Sequence, residues 1–367
     1  MTRSDTDDYG ALFLSDVPMM DVRAPVEFNQ GAFPGSTNVP LLDDEQRAAI
    51  GKRYKDVGQD EAIELGLKLA TPEIRQQRLQ QWEAFVRQHP EGYLYCFRGG
   101  LRSRTTQAWL KEQGIDYPLI KGGYKAMRSY LLQQLEISQQ QIPFVILSGM
   151  TGSGKTRVLT QTRLHIDLEG LANHRGSAFG RDVNDHQPAQ IDFENRLSIS
   201  CLRHRHQYPQ TAIMLEDEGK MIGRILTPVG FYKKMENSPR IFLERSVSQR
   251  VDIIREDYIE LNWPQYQQQY GDQAEAEFSR FVLDNLSRIK NRLGGERYQS
   301  IHQLFSAALS LLFDRGDSQG FDEGVHLLLE QYYDPMYQYQ LKKKPVEIIF
   351  SGDEDAILQW AGEHIAP

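Results

Sequence analysis

The stretch Phe144-Val-Ile-Leu-Ser-Gly-Met-Thr-Gly-Ser-Gly-Lys-Thr156 decides the fold of the second half of the chain. Residues 144–148 form an apolar run typical of a buried strand, and Gly149–Thr156 satisfies the pattern G-x-x-x-x-G-K-[ST] in full. Between a strand and a helix, this pattern predicts a loop whose backbone N–H groups and helix N-terminus cradle phosphate. We expect Lys155 to reach the terminal phosphate and Thr156 to ligate Mg²⁺.

Short apolar runs alternate with helical patterns on both sides of this loop, which predicts an α/β fold with parallel sheets. A chain of 367 residues has room for two or three domains. We predict a first domain over 1–136, a polar linker over 137–143, a phosphate-binding domain over 144–315 and a C-terminal extension over 316–367 that packs on it. The expected strands are 18–22, 92–96, 117–120, 144–148, 164–168, 211–215, 240–243 and 345–350, with helices at 72–88, 103–113, 255–333 and 356–362.

A second anion loop is predicted at Tyr95-Cys-Phe-Arg-Gly-Gly-Leu-Arg-Ser103, which has the spacing C-x5-R. Its glycine turn and following helix would hold an anion over Cys96 and favour the thiolate. The expected anion contacts are Arg98, Gly99, Gly100, Arg102 and Ser103. Cys201 has no such setting, so we expect it to be structural.

Other polar residues leave two interpretations open. Glu216 and Asp217 follow a predicted strand and either assist a metal with Thr156 or form a solvated acidic turn. Arg245, Arg250 and Arg255 are equally well explained as phosphate clamps or as a solvated helix face. The loop after the second strand of this domain is either a surface loop or a substrate contact; its candidate residues are Asp167, Glu169, His174, Arg175 and Ser177.

Composition excludes several classes of protein. With 40% hydrophobic and 25% charged residues, the chain is typical of soluble globular proteins. Two cysteines exclude a disulfide framework, and the polar start and lack of a long apolar run predict a cytoplasmic protein that does not enter a membrane. The net charge of −8 argues against general nucleic-acid binding but allows a local basic face.

The first half of the chain resembles the rhodanese family. The resemblance rests on Asp21-Val-Arg-Ala-Pro-Val-Glu-Phe28, Gly31-Ala-Phe-Pro-Gly35, Asn38-Val-Pro40, the Cys96 loop and Gly122-Gly123. It implies a rhodanese-like α/β domain that handles sulfur at Cys96. The C-x5-R length is closer to the phosphatase-like branch of that family, whose loop fits a tetrahedral oxyanion.

Nearly the whole chain resembles the bacterial tRNA 2-selenouridine synthase family, in which a rhodanese-like domain precedes a P-loop NTPase-like domain. The added motifs are Asp167-Leu-Glu-Gly-Leu-Ala-Asn-His-Arg-Gly-Ser-Ala-Phe-Gly180 and Tyr332-Tyr-Asp-Pro-Met-Tyr-Gln-Tyr-Gln340. This resemblance implies that wobble 2-thiouridine is S-geranylated from geranyl diphosphate and that selenophosphate then supplies selenium. It also implies a tRNA anticodon arm as partner, a selenophosphate-supplying enzyme as a second one, and no tightly bound cofactor other than a candidate Mg²⁺.

The resemblance assigns roles to the two loops. Cys96, Arg102 and Lys155 become the catalytic candidates, with Cys96 either a selenium carrier or a nucleophile. Diphosphate would be bound by Gly149, Thr151, Gly152, Ser153, Gly154, Lys155 and Thr156, and selenophosphate by the residues of the Cys96 loop. Phe179, Phe231 and Tyr232 either line a prenyl pocket or pack in the core. The candidate tRNA contacts are Arg203, Arg205, Lys290 and Arg292, with Arg196, Lys233, Lys234 and Arg297.

Two other functions stay open. The chain would be an ATP-dependent kinase with a regulatory rhodanese-like module, or a non-catalytic sulfur-relay or tRNA-binding protein with a degenerate P-loop. Intact Lys155 and Thr156 argue against the second of these.

Overall fold

The computed structural model describes residues 3–174, 186–343 and 347–365. The chain forms two compact units. The first contains Met1–Ser138 and Ala189–Arg203, and the second contains Gln139–Pro188 and His204–Pro367. Among the residues described, no helix is long and apolar enough to cross a membrane.

The first unit is built on a three-stranded parallel sheet. Its strands are β1 (Met19–Asp21), β2 (Ser36–Asn38) and β3 (Tyr93–Tyr95), in the order β2-β1-β3. Strands β1 and β3 confirm two predicted strands. The predicted strand at 117–120 is reduced to isolated bridges, Leu94 with Leu119 and Thr6 with Ile120. Pro118 explains the difference, because it has no N–H to contribute to a ladder.

Helices surround this sheet. They are Tyr9–Leu14, Pro25–Asn29, Asp44–Asp56, Gln59–Leu69, Pro72–Gln88, Leu101–Glu112 and Gly123–Gln141. Pro72–Gln88 has the predicted bounds, since the Thr71 hydroxyl caps it by accepting from the Ile74 N–H and Pro72 occupies its first turn. Its Trp82 is fully buried, and the indole N–H donates to the Val39 carbonyl at 3.0 Å.

The first unit also takes in most of a helix from later in the chain, Gln190–Gln207. Ile199 and Leu202 of that helix pack in one core cluster with Leu12 and Phe13. The boundaries of the two units therefore differ from the continuous domains 1–136 and 144–315 predicted from the sequence, because these apolar contacts join distant segments of the chain. The predicted linker also differs: its first part continues the helix Gly123–Gln141, as suits a run rich in glutamine.

The second unit is built on a five-stranded parallel sheet. The strands that follow in the chain are β4 (Phe144–Gly149), β5 (His165–Ile166), β6 (Ile213–Glu216), β7 (Met221–Ile222), β8 (Ile225–Leu226), β9 (Arg240–Leu243) and β10 (Ile348–Gly352). The sheet order is β10-β9-β4-β6-β5, and β7 and β8 form a separate antiparallel pair. The predicted C-terminal extension thus contributes the edge strand β10. Because the strands are parallel, their carboxyl ends lie at one edge of the sheet.

A helical cluster completes this unit. The α-helices are Lys155–Leu159, Leu168–Ala172, Val229–Glu236, Val247–Arg255, Trp263–Tyr270, Ala274–Arg288, Lys290–Leu293, Gly295–Arg315, Asp322–Leu328, Asp334–Lys343 and Glu354–His364, with π-helical turns at Glu256–Glu260 and Leu329–Tyr333 and 3₁₀ turns at Gly271–Gln273 and Gln319–Phe321. Residues 251–332 supply a large apolar core of their own, including Phe278, Phe305 and Phe321. The mainly helical character predicted for 255–333 is confirmed.

Candidate active sites

The phosphate-type loop lies at the carboxyl end of β4, the central strand of the second unit. Gly152 and Gly154 have φ angles of +78° and +74°, which only glycine adopts without strain. A Cβ on Gly149 would lie 2.7 Å from the Ser153 hydroxyl oxygen, so this glycine permits a close turn. The helix that follows begins at Lys155, as the pattern predicts.

The loop's polar side chains face a group of carboxyls. The Lys155 ammonium donates to the Gly149 carbonyl at 3.3 Å, and the Thr156 hydroxyl donates to Glu169 Oε2 at 3.0 Å. The Glu169 backbone N–H in turn donates to Glu216 Oε2 at 3.2 Å. Thr156 therefore contacts Glu169 directly and is linked through Glu169 to Glu216. Asp217 lies apart from this chain of contacts, because it accepts from the Ser148 hydroxyl at 2.6 Å.

Burial raises the pKa of two carboxyls in this part of the site, those of Glu216 and Glu218. Burial first, and then the charges of Glu169 and Asp167, raise the pKa of Glu216 to about 8. Burial and the charge of Glu169 also raise the pKa of Glu218 well above its ordinary value, against the opposing charge of Lys155. Among the described residues, Glu216 Oε1 makes no hydrogen bond. Loss of the protons on these carboxyls would leave carboxylate oxygens that can bind a cation.

These residues fit a magnesium ion only together with a phosphate ligand. Carboxylate and hydroxyl oxygens are ligands that magnesium prefers. The described part of the chain has no group of three His, Cys, Asp or Glu side chains arranged to hold a metal by themselves. Magnesium commonly takes one or two carboxylates and completes its shell with water and substrate phosphate, so Thr156 and the neighbouring Glu216 suit a metal bound to diphosphate.

Arg250 contacts the backbone of the loop. Its guanidinium donates to the Thr151 carbonyl at 3.1 Å and to both carboxylate oxygens of Asp334 at 2.8 and 2.7 Å. Arg245 pairs with Glu354, and Arg255 donates to Asp322 at 2.6 Å. All three arginines thus have carboxylate partners, and buried Arg250 is a support of the loop and not part of a solvated face.

The segment after β5 lies partly at this site. Asp167 caps the helix Leu168–Ala172 by accepting from the Gly170 N–H at 2.6 Å, and Glu169 reaches Thr156 as described. His174 lies against Gly223, at 2.6 Å from where a Cβ on that glycine would stand. The predicted contacts Arg175 and Ser177, and Phe179, lie outside the described residues. Phe231 is fully buried and its ring contacts that of Phe144, so it packs in the core.

The Cys96 loop follows β3 in the first unit. A second glycine turn supports it: the Tyr124 N–H donates to the Cys96 carbonyl at 2.9 Å, and a Cβ on Gly123 would lie 2.3 Å from that oxygen. Gly99 has a φ of +60° and packs against the backbone N–H of Gly122. Glycine is therefore required both in the Cys96 loop, at Gly99, and in the turn that contacts the loop, at Gly123. Cys96 itself is 4% exposed.

Arg102 and Ser103 enter this site from the first turn of the helix Leu101–Glu112. Arg102 donates to both carboxylate oxygens of Glu27, at 2.5 and 3.1 Å. Although burial acts in the opposite direction, the hydrogen bonds and charge of Arg102 hold the pKa of Glu27 below its ordinary value. Ser103 is fully buried, whereas Arg98 is exposed at the loop. Sequence reasoning missed Glu27, because it is 75 residues away from its partner and no local pattern links the two.

A large cavity adjoins the Cys96 loop. Its volume is about 1170 Å³, and its lining includes Cys96, Arg98, Gly100 and Arg102. Arg23 and Tyr124 also line it; the Arg23 guanidinium forms a buried ion pair with Asp21 and lies 3.8 Å from the centre of the Tyr124 ring. The loop thus faces a volume far larger than a tetrahedral anion.

The candidate tRNA contacts fall into two groups. Arg203 donates to the Phe13 carbonyl at 2.7 Å and pairs with Asp16, and Lys234 donates to the carbonyls of Gln139 and Ile142, so both have structural contacts. The exposed candidates are Arg196, Lys233, Lys290, Arg292 and Arg297, while Arg205 is half-buried. Among these, Lys290, Arg292 and Arg297 are close in sequence at the start of two adjoining helices.

Comparison with known proteins gives one consistent result. The model of a family described as "tRNA 2-selenouridine synthase AAA domain" matches residues 142–366. A protein of Marinobacter nauticus is 51% identical over 98% of this chain and 98% of its own length. Relatives from Pseudomonas fluorescens and Shewanella loihica are 48% and 46% identical, each over 97% of this chain and over 97% and 96% of their own lengths. All three relatives carry the name tRNA 2-selenouridine synthase.

Proposed function

Because this chain belongs to the tRNA 2-selenouridine synthase family, we propose that it converts wobble 2-thiouridine of tRNA into 2-selenouridine through an S-geranyl intermediate. Geranyl diphosphate and selenophosphate are the co-substrates in this proposal, and the tRNA anticodon arm is the partner. The observation that supports it is a glycine-containing loop after a strand in each unit, one leading into Lys155 in the second unit and one that begins at Cys96 in the first. One loop serves each step.

In the first step, the P-loop binds the diphosphate of geranyl diphosphate. The thiouridine sulfur attacks the allylic carbon, the bond from that carbon to oxygen breaks, diphosphate leaves, and the base loses its N3 proton to water. The reaction therefore depends on charge stabilisation at the departing diphosphate. Lys155 and the loop N–H groups supply this, and a Mg²⁺ bound by Thr156 and Glu216 would neutralise further charge on the diphosphate.

Apolar side chains lie beside the loop. Ile253 and Ile254 contact the loop glycines. A small cavity of about 60 Å³ adjoins Thr151 and Gly152 and is otherwise lined by apolar and aromatic side chains such as Phe281 and Leu329. This apolar lining is compatible with the part of an alkyl chain that adjoins the diphosphate.

In the second step, the Cys96 loop holds selenophosphate with Arg98, Arg102 and its backbone N–H groups. The balance of electrons decides the role of Cys96. Selenium in selenophosphate is already at the level of selenide, so a perselenide on Cys96 would require a two-electron oxidant that no proposed substrate supplies. We therefore assign Cys96 as the nucleophile: its thiolate attacks phosphorus, the phosphorus–selenium bond breaks, and HSe⁻ leaves.

The remaining bonds are then replaced without oxidation. Selenide attacks C2 of the geranylated base, the C2–sulfur bond breaks, and geranylthiol leaves after taking up a proton. The base regains a proton at N3, and water hydrolyses the phosphorylated cysteine to phosphate and free thiol. The direct test is to incubate the purified protein with 2-thiouridine tRNA, geranyl diphosphate and selenophosphate and to identify the nucleosides by mass spectrometry.

An ATP-dependent kinase is the second candidate, and the intact phosphate loop is the observation that keeps it open. Equilibrium binding distinguishes the two, because a kinase binds ATP more tightly than geranyl diphosphate. Tighter binding of ATP, together with absence of 2-selenouridine in the reconstituted reaction, would refute the proposed function.

A further inference from the structure

The cavity beside Cys96 has an apolar interior. Besides Cys96 and Arg102, residues of the helices Asp44–Asp56 and Gln59–Leu69 line it. The apolar side chains that line it include Leu42, Ile50, Ala62, Ile63, Ile74 and Trp109. Pockets for small molecules usually measure about 300–1,000 Å³. A volume of about 1170 Å³ therefore accommodates a ligand much larger than selenophosphate.

The two helices do not use their apolar side chains to build the core. Asp44–Asp56 has no buried residue, and Gln59–Leu69 buries only Ala62. Tyr54 and Leu67, which line the cavity, are 56% and 64% exposed. A surface helix normally packs its apolar stripe on the core, and a contiguous exposed apolar surface marks a binding site. Their apolar side chains instead line the cavity.

Cations lie at the same cavity. Lys52 and Lys55 of the first of these helices line it and are exposed, as is Arg98 of the Cys96 loop. The cavity therefore combines apolar lining residues, a cysteine and exposed positive charge. This combination is complementary to an apolar chain joined to a polyanion.

We propose that this cavity binds the geranyl chain of S-geranyl-2-thiouridine tRNA while sulfur is replaced by selenium, an inference that rests on the proposed function. The bond that breaks joins C2 of the base to sulfur, and the sulfur leaves with the chain as geranylthiol. Burial of the chain brings C2 close to Cys96, which lines the same cavity and releases selenide. It also lets the first unit select geranylated over unmodified tRNA, because only the geranylated base carries the chain.

Free geranyl diphosphate has the same chemistry, an apolar chain with an anionic end. The two ligands are substrates of different steps: the geranylated tRNA is the substrate of selenation, and free geranyl diphosphate is the substrate of geranylation. Rates of the two half-reactions therefore distinguish them.

The test compares tRNA bearing S-geranyl-2-thiouridine with tRNA bearing S-methyl-2-thiouridine, both supplied with selenophosphate. The bond that breaks is the same, and only the chain differs. The wild-type protein is expected to selenate the S-geranyl substrate with a second-order rate constant at least 100-fold higher, since each buried CH₂ contributes roughly fourfold. Equal rates for the two substrates would overturn the proposal without any variant.

Two variants locate the site. Ile63→Gln makes the lining polar at similar volume, and Ala62→Phe fills part of the cavity; each should reduce the S-geranyl preference by at least 10-fold. Val57→Gln, an exposed position outside the lining, is the matched control and should retain the preference. If the two cavity variants instead slow geranylation of 2-thiouridine tRNA, the cavity holds the free diphosphate and the proposal is wrong.

The test distinguishes failure of the cavity proposal from failure of the proposed function. If the wild-type protein forms no 2-selenouridine from either substrate, the proposed function itself is refuted. If it selenates both substrates equally, only the role of the cavity is refuted.

Discussion

Arg102 meets Glu27 with both of its terminal guanidinium nitrogens, at 2.5 and 3.1 Å. The pair fixes the arginine of the C-x5-R loop beside Cys96 before any anion binds. Glu27 belongs to the short helix Pro25–Asn29, where it also accepts from the Ala24 N–H at 3.1 Å. A carboxylate thus orients the cation that is proposed to bind selenophosphate.

This pair predicts a pH-dependent contribution to stability. The pKa of Glu27 is lowered in the folded protein, so its ionised form stabilises the fold above the ordinary value of 4.5, and this contribution disappears as the pH falls through the folded pKa. Glu27→Gln should reduce the free energy of unfolding by about 1.5–3 kcal/mol at pH 7 and by less at pH 3.5. Urea unfolding at both pH values measures the difference.

Glu64→Gln is the matched control, because Glu64 pairs with Lys68 at the surface of a helix at 2.6 Å. Exposed pairs of this kind contribute little. Equal losses for Glu27→Gln at pH 7 and pH 3.5 would show that the Arg102 pair does not depend on the charge of Glu27.

The carboxyl group of Glu216, beside the P-loop, predicts that stability changes with pH in the opposite direction. Burial raises the pKa of Glu216 to about 8 from an ordinary 4.5, so the folded state holds a proton that the unfolded state loses between these values. Stability should therefore fall as the pH rises from 5 to 8, by at most roughly 1.4 kcal/mol per pH unit. Glu216→Gln should flatten this dependence, whereas the exposed Glu275→Gln should leave it as in the wild type. Parallel curves for Glu216→Gln and wild type would contradict the raised pKa.

Lys155 tests the assignment of the first step. Lys155→Ala removes a charged contact worth about 1.5–3 kcal/mol, so geranylation should slow by roughly 10- to 150-fold. Selenation of pre-geranylated tRNA should stay near the wild-type rate, since the Cys96 loop lies in the other unit. Loss of both reactions in a folded variant would contradict the division of labour.

The exposed basic residues predict the salt dependence of tRNA binding. Lys290→Ala with Arg292→Ala should flatten the slope of log K against log salt by about one unit for each phosphate that is no longer neutralised. Arg203→Ala should instead lower the free energy of unfolding, because it breaks the hydrogen bonds to Phe13 and Asp16. Titration of tRNA at several salt concentrations measures this slope. An unchanged slope for the double variant would show that tRNA binds to another surface.

Features formed by residues close in sequence were predictable from patterns in the sequence. The phosphate loop, the helix Pro72–Gln88 and strand β4 follow from spacing, capping and apolar runs within a few residues. Contacts between distant segments were not predictable in this way. Three examples depend on the folded chain: the pair of Arg102 with Glu27, the contact of Thr156 with Glu169, and the burial of Ile199 and Phe13 in one core cluster. The cavity beside Cys96 was missed for the same reason, since a helix that lines a cavity has the same sequence pattern as one that packs on a core.

The central claim is that the two loops catalyse successive steps, and mass spectrometry of the nucleosides formed by Cys96→Ala tests it most directly. The variant keeps every described residue of the P-loop, so it should convert 2-thiouridine to S-geranyl-2-thiouridine and form no 2-selenouridine. Cys201→Ala, which changes a buried cysteine outside both loops, should still make 2-selenouridine. Accumulation of S-geranyl-2-thiouridine by Cys96→Ala is the predicted result, and accumulation of unmodified 2-thiouridine by a folded variant would contradict the claim.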